Sequence, residues 1–321
     1  SKKVYFTTGH GEKDSTSQER NGYGVIGTAM TRENYGLGTL VLAQTGAVPD
    51  DASAVIIAGP TNDFFPPEID ALKKYLEKSG KLLMLLDPPE RTDSAPLTNL
   101  IALAHEWGMD AGAGAVVDAS GMGRLIGTDA ATPVAANYPA HPITDRFQLM
   151  TAYPFTRAIT PVAGGVNGHT AQAFIESSPR SWNELDLASM LSEGRVELEE
   201  AKGDKAGPVP LAAAASAVSG EAPKPDAPPD ALRPETRVAV IGDSDFATNG
   251  VVGVQGNRDM FMNTLGWLSQ QEGLISIRTR EADDRRLTLT ATQQSNLTWL
   301  VTLIVPGLVF ATGIYGWYRR R

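Results

Sequence analysis

Residues 53–89 read SAVIIAGPTNDFFPPEIDALKKYLEKSGKLLMLLDPP. Val55, Ile56 and Ile57 form a short apolar run that ends at Gly59-Pro60, the signature of a strand buried on both faces. Pro66 and Pro67 suit the first turn of a helix, Ile69, Leu72 and Leu76 recur at helical spacing on one face, and Gly80 suits its stop. KLLMLLDPP is a second apolar run that again ends in turn residues. Strand, helix and strand in this order make a βαβ unit, which builds a parallel sheet.

The same alternation extends outward in both directions. VYFTTGH is an earlier strand. PLTNLIALAHEWG is a helix with Leu97, Leu100, Ile101 and Ala104 facing inward, and AGAVVD is a shorter strand. Much later, TRVAVIGDSDF reads as a buried strand, and NRDMFMNTLGWLSQ as a helix with Phe261, Leu265 and Leu268 facing the core. The expected fold is therefore α/β, a doubly wound, mostly parallel sheet with right-handed crossovers. Residues 1–200 are expected to hold the α/β domain, with an irregular Gly-, Pro- and Thr-rich insertion over about 120–200 that includes short strands such as HTAQAFIESS. Residues 201–235 are rich in Ala and Pro: PVPLAAAASAV has strand character, and SGEAPKPDAPPDALRPE reads as a solvated loop. Residues 236–275 supply the last strand and helix.

The C-terminal part is of a different kind. After a juxtamembrane segment, 276–296, the run LTWLVTLIVPGLVFATGIYGWY (297–318) carries no charge for 22 residues. At 1.5 Å per residue that is enough to span the roughly 30 Å hydrocarbon core. Trp299 near one end and Tyr315, Trp317 and Tyr318 near the other suit the membrane interface, and Arg319, Arg320 and Arg321 form a basic tail. Pro306 is expected to bend the helix, while Gly307 with Ala311, and Thr312 with Gly316, place small residues four apart, a spacing that suits close helix packing. Arg278, Arg280, Arg285 and Arg286 precede the span, so flanking charge alone nearly balances the two orientations. The chain opens SKKVYF, which leaves room for an upstream export segment.

Composition narrows the function classes. The chain has 321 residues, 42% of them hydrophobic, a formal net charge of −9 and no cysteine. That balance disfavours a nucleic-acid partner, and the lack of cysteine removes disulfides, thiolate metal sites and cysteine nucleophiles.

In an open α/β sheet, ligands bind beyond the carboxyl ends of the strands. Four such ends carry polar residues: 7–12 with His10 and Glu12, 59–63 with Asp63, 87–90 with Asp87, and 242–246 with Asp243 and Asp245, to which Asn249 a little further on is added. These seven residues are the candidate pocket. No single chemistry follows from them. Ser244 lacks the second glycine of a nucleophile elbow, and a hard-cation site on His10, Glu12, Asp87, Asp243 and Asp245 competes with helix capping by strand-end aspartates. His105 and His141 read as structural or surface residues. Gly22-Tyr23-Gly24-Val25-Ile26-Gly27 matches a dinucleotide-binding spacing but follows no evident strand. No Walker motif, cofactor signature or zinc-ligand spacing is present, and neither a catalytic residue nor a metal ligand is assigned.

Several of these segments together carry a resemblance: GHGE (9–12), AGP (58–60), LDP (86–88), GPVPLA (207–212), and GDSDFATN (242–249) followed by GNRDMFMNTLGWL (256–268). The chain resembles the GldG-like, gliding-motility-type auxiliary proteins of ABC transport systems. The resemblance implies a flavodoxin-like or class I glutamine-amidotransferase-like domain held outside the cytoplasm between an N-terminal and a C-terminal membrane helix. Amidotransferase chemistry would need a cysteine that this chain lacks. His10, Glu12, Asp243, Asp245, Asn249 and Asn263 fall on motif positions that either line a pocket or fix the loops. The resemblance thus implies a non-catalytic accessory subunit in a bacterial inner membrane, single-pass in this sequence, where the C-terminal span is the one visible, its body periplasmic, its partners the bilayer and integral membrane subunits such as a permease. A scaffolding subunit of another membrane complex is the alternative, and an enzyme using the strand-end carboxylates on a metal or a sugar is a third.

Overall fold

The computed structural model describes residues 2–269, apart from 90, 92, 195 and 219–233, together with Pro306, Tyr315, Trp317 and Arg319. The chain divides into two units, residues 1–277 and 278–321.

The first unit opens with β1 (Lys2–Thr7), α1 (Gly24–Arg32), β2 (Tyr35–Leu40), the short α2 (Leu42–Thr45), β3 (Ala52–Ala58), α3 (Pro66–Glu77), β4 (Lys81–Leu85) and α4 (Thr98–Glu106). An elaborated middle follows, with β5 (Met109–Ala111), β6 (Ala115–Asp118), α5 (Met122–Leu125), β7 (Val134–Ala135), β8 (Thr151–Ala152) and β9 (Ile159–Pro161). It continues through β10 (Ala171–Glu176), β11 (Ser181–Glu184), α6 (Leu187–Glu193), β12 (Lys205–Ala206) and β13 (Pro210–Val218), and the unit closes with β14 (Glu235–Ile241) and α7 (Asn257–Leu268).

Seven strands form the main sheet in the order β10-β13-β14-β4-β3-β1-β2. From β2 to β14 every pairing is parallel, and β13 and β10 extend that edge antiparallel. Successive residues of a strand point to opposite faces, and here each face has its own core. Val4, Phe6, Ile56, Leu83, Leu85, Ala239 and Ile241 pack with α1 and α7 on one side. Tyr5, Val55, Ile57, Leu82, Met84, Val238 and Val240 pack with α3 and α4 on the other. This two-sided burial is why the strands read as unbroken apolar runs.

Local structure follows the sequence closely in the βαβ core. Pro66 and Pro67 begin α3, and Ile69, Leu72 and Leu76 are buried. Phe261, Leu265 and Leu268 of α7 have no exposed surface. On α4 the inward stripe is Leu100, Leu103 and Ala104, with Leu97 just before it, while Ile101 is only partly buried. AGAVVD is a strand, β6, but it belongs to a separate three-stranded sheet, β12-β11-β6. β2, YGLGTL, went unread because two glycines and a threonine dilute its apolar pattern.

Among the described residues no helix is long and apolar enough to cross a membrane. The expected span 297–318 falls largely outside those residues, with its packing positions Gly307, Ala311, Thr312 and Gly316. The 276–296 segment and most of the Pro-rich loop lie outside them too. Pro306, Tyr315, Trp317 and Arg319 have helical backbone.

Candidate functional site

The carboxyl ends of β1, β3, β4 and β14 lie side by side because those strands are parallel neighbours. Strand order reverses at β1, whose chain successor β2 lies on one side and β3 on the other. A crevice at such a reversal is where sheets of this kind bind ligands.

Two clusters occupy this edge. The first sits at β4 and β14. Asp87 Oδ2 accepts a hydrogen bond from Ser244 Oγ at 2.6 Å, and its Oδ1 accepts the Ser244 backbone N–H. Burial pushes the Asp87 carboxyl up to about 6; the Ser244 hydrogen bonds oppose that shift and the Asp245 charge adds to it. Asp243 has no exposed surface. Its Oδ1 takes the Asp245 N–H at 2.6 Å, while Oδ2 has no hydrogen-bond partner among the described residues. Burial, then the charges of Asp87 and Asp245, holds the Asp243 carboxyl well above the usual carboxylate range. Asp245 pairs with Lys13, Nζ to Oδ1 at 2.7 Å. Tyr23 donates to the Ser244 carbonyl, and the buried Arg157 donates through Nε, at 3.1 Å, and a terminal nitrogen to the Asp87 carbonyl. Burial lowers the Arg157 guanidinium to about 10.

The second cluster sits at β1 and β3. His10 Nε2 lies 3.0 Å from Glu68 Oε2, and since a carboxylate only accepts, Nε2 carries the proton. Glu68 is the third residue of α3 and also accepts the Phe65 N–H at 2.9 Å, the acidic half of a capping box. Glu12 Oε2 accepts the His10 N–H at 2.7 Å. The His10 ring stacks on Phe64 with centroids 4.3 Å apart. The His10 carbonyl accepts the N–H groups of Thr61 and Asn62, which ties the β1 loop to the β3 loop.

The remaining candidates are spent on architecture. Asp63 accepts the N–H groups of Asn99 at 2.7 Å and Leu100 at 3.2 Å, so it caps α4 from another loop. Asn249 Oδ1 accepts the Val25 N–H at 2.8 Å at the start of α1, while its Nδ2 donates to the carbonyls of Ser17 and Glu19. Asn263 Nδ2 reaches the Ile143 carbonyl at 3.3 Å. Asp87, Asp243 and Asp245 thus gather at one end of the edge and His10 with Glu12 at the other. Among the described residues no group of three or more His, Asp or Glu could hold a metal ion. Reading the sequence missed Glu68, Lys13, Tyr23 and Arg157. Glu68 was accessible from its position, three residues into a helix that begins with Pro66. Arg157 lies in the irregular insertion, and no local pattern points to it.

The chain is similar to the mmIFT52 N-terminal domain, at 16% identity, covering 83% of this chain and 97% of that one with a TM-score of 0.57, a likeness of fold. A putative ThuA-like protein from Bacteroides uniformis is 12% identical over 83% of this chain and 90% of its own, with a TM-score of 0.40. An exo-β-1,4-mannosidase, Op5Man5 from Opitutaceae bacterium strain TAV5, is 12% identical over 86% of this chain and 36% of its own, with a TM-score of 0.39. At the last two scores the likeness does not define a shared fold. No curated protein matches the chain. The auxiliary-component family described as "ABC-type uncharacterized transport system" matches residues 1–270, nearly the whole of the first unit, and the chain belongs to that family.

Proposed function

We propose that this chain is a non-catalytic, membrane-anchored accessory subunit of an ABC-type transport system, of the GldG-like kind, whose α/β body binds a partner on the extracytoplasmic side. The observation that carries this reading is the family match over residues 1–270. The site chemistry supports it. Asp63 and Asn249 cap helices, Asp87 is committed to Ser244, and Asp245 to Lys13, so the strand-end polar residues hold loops in place. The strand order 2-1-3-4-14 of the parallel part supports the flavodoxin-like description of the body. The anchor is the uncharged run 297–318, with Arg319 to Arg321 on the cytoplasmic side.

The test is purification of the tagged full chain from its native membrane in mild detergent, with mass spectrometry of what accompanies it. An ATPase and a permease are expected in fixed proportion. Stoichiometric recovery of a membrane complex that contains neither would replace the transport reading with a scaffolding one. Release of the chain from membranes by alkaline carbonate would refute the anchor.

A further inference from the structure

β11 and β12 pair antiparallel, Trp182 with Ala206 and Asn183 with Lys205, yet residues 185–204 intervene. Hairpin loops ordinarily take about 2–5 residues, and longer connections are usually functional. This one has a built neck. Both oxygens of the buried Asp204 are used, Oδ1 by the Leu185 N–H at 3.0 Å and Oδ2 by the Glu199 N–H at 2.8 Å. The buried Glu184 accepts the N–H of Asp186 at 2.9 Å and that of Glu197 at 3.4 Å. Two carboxylates thus clamp both ends of the excursion against the β12-β11-β6 sheet.

What the neck presents is α6. Asp186 caps it through Ser189, and Leu187, Met190 and Leu191 fall at i, i+3 and i+4 on one face. Among the seven described α-helices α6 alone buries no residue. Leu185, Leu191 and Leu198 are 40, 41 and 40% exposed. A seven-residue helix is marginal without tertiary packing; among the described residues Leu187 and Met190 are only half-buried, and Leu185, Leu191 and Leu198 around them leave an apolar surface incompletely covered.

Charge selects the partner. Around the leucines stand Asp186, Glu193, Glu197, Glu199 and Glu200, against only Arg195 and Lys202 in sequence, and Lys202 is paired with Glu199 at 2.7 Å. A second copy would set acid against acid, and an anionic lipid surface would be repelled likewise. We propose that α6 and its flanks are a docking surface for an apolar groove rimmed by Lys and Arg on a protein subunit of the transport system. The identity of that subunit rests on the accessory-subunit reading; the chemistry of the groove does not.

The experiment places the photocrosslinker p-benzoylphenylalanine at Leu191 of the full chain in native membranes, with Leu125, 76% exposed on α5, as the control position. The expected adduct from position 191 maps to an apolar peptide flanked by basic residues on another protein. The double variant Leu191→Ser, Leu198→Ser should cut recovery of that protein at least tenfold with an unchanged urea midpoint, since both side chains are about 40% exposed. An adduct to a second copy or to lipid, or an adduct yield no higher than at Leu125, overturns the proposal. So does undiminished recovery of the ATPase and permease with the double variant, which leaves the accessory reading intact. A basic-flanked groove on a protein outside any transport system supports the docking surface and refutes the accessory reading instead.

Discussion

Asp87 and Ser244 stand 157 residues apart in sequence and are joined twice, through the serine hydroxyl and through its backbone N–H. One carboxylate therefore locks the loop after β4 to the loop after β14. Arg157 fixes the same Asp87 residue by its carbonyl, so an arginine from the insertion closes the lock from a third segment.

The first prediction concerns pH. In the unfolded chain Asp87 titrates near 3.8 and in the folded protein at about 6. Between those values the folded state binds the proton more tightly, so the stabilisation present below pH 4 is lost as pH rises through 6. Two pH units at about 1.4 kcal/mol each set a ceiling of about 3 kcal/mol. Asp87→Asn can still accept from the Ser244 N–H and can donate to its hydroxyl, without a charge to desolvate. Its urea midpoint should therefore fall less than that of the wild type between pH 4 and 7. Parallel profiles for the two proteins would show that Asp87 is not the titrating group.

The second prediction uses two glycines of the same edge. Gly59 has φ +63°, and a Cβ there would lie 2.2 Å from Ser244 Oγ and 2.8 Å from Asp87 Oδ2. Gly9 has φ +121° with nothing within 4 Å of a Cβ. Gly9→Ala should cost only backbone strain, about 1–3 kcal/mol. Gly59→Ala adds displacement of the Asp87–Ser244 pair and should cost more, and it should also shift the pH dependence described above. Equal costs in denaturant titration would mean that the pair yields freely.

The third prediction separates capping from binding. Asn249→Ala removes the acceptor at the start of α1 and two bonds to loop carbonyls, and should destabilise by about 2–3 kcal/mol. Asp63→Ala removes the cap of α4 and should cost about 1–2 kcal/mol. Neither change should alter recovery of partner subunits at temperatures where the variant is folded. Loss of partners with a wild-type urea midpoint would place these residues on a binding surface.

These residues also show what the sequence could and could not convey. The parallel core was legible because strands buried on both faces have no polar alternation to dilute them, as in Val55 to Ile57 and Leu82 to Leu85. β2 was not, since Gly36 and Gly38 contribute no side chain to a pattern. The placement of β6 was illegible for another reason: AVVD is apolar in either sheet, and only its pairing with β11 decides which one it joins. At the site, strand ends located the polar residues, but their partners come from far along the chain. Asp63 reaches α4, Asn249 reaches α1, and Arg157 reaches Asp87, and no spacing rule encodes such contacts.

The last prediction tests the contacts of the loop after β1 with the β3–α3 segment. His10 is 6% exposed and its Nε2 donates to Glu68, which is 4% exposed and has the Phe65 N–H as another donor. His10→Leu keeps the apolar contact with Phe64 but withdraws a donor from a buried carboxylate, a loss of about 2–4 kcal/mol. His10→Gln can supply an N–H from a side chain of similar reach and should recover part of that loss. A Glu68→Gln partner change makes the test a cycle: with the carboxylate already neutral, His10→Leu should cost at least 1 kcal/mol less than it does in the wild type. If the two costs were equal, the His10–Glu68 contact would contribute nothing, and the β1 loop would be held by its backbone bonds, those of Thr61 and Asn62 to the His10 carbonyl and of Lys13 to the Ala58 carbonyl, and by the Lys13–Asp245 pair.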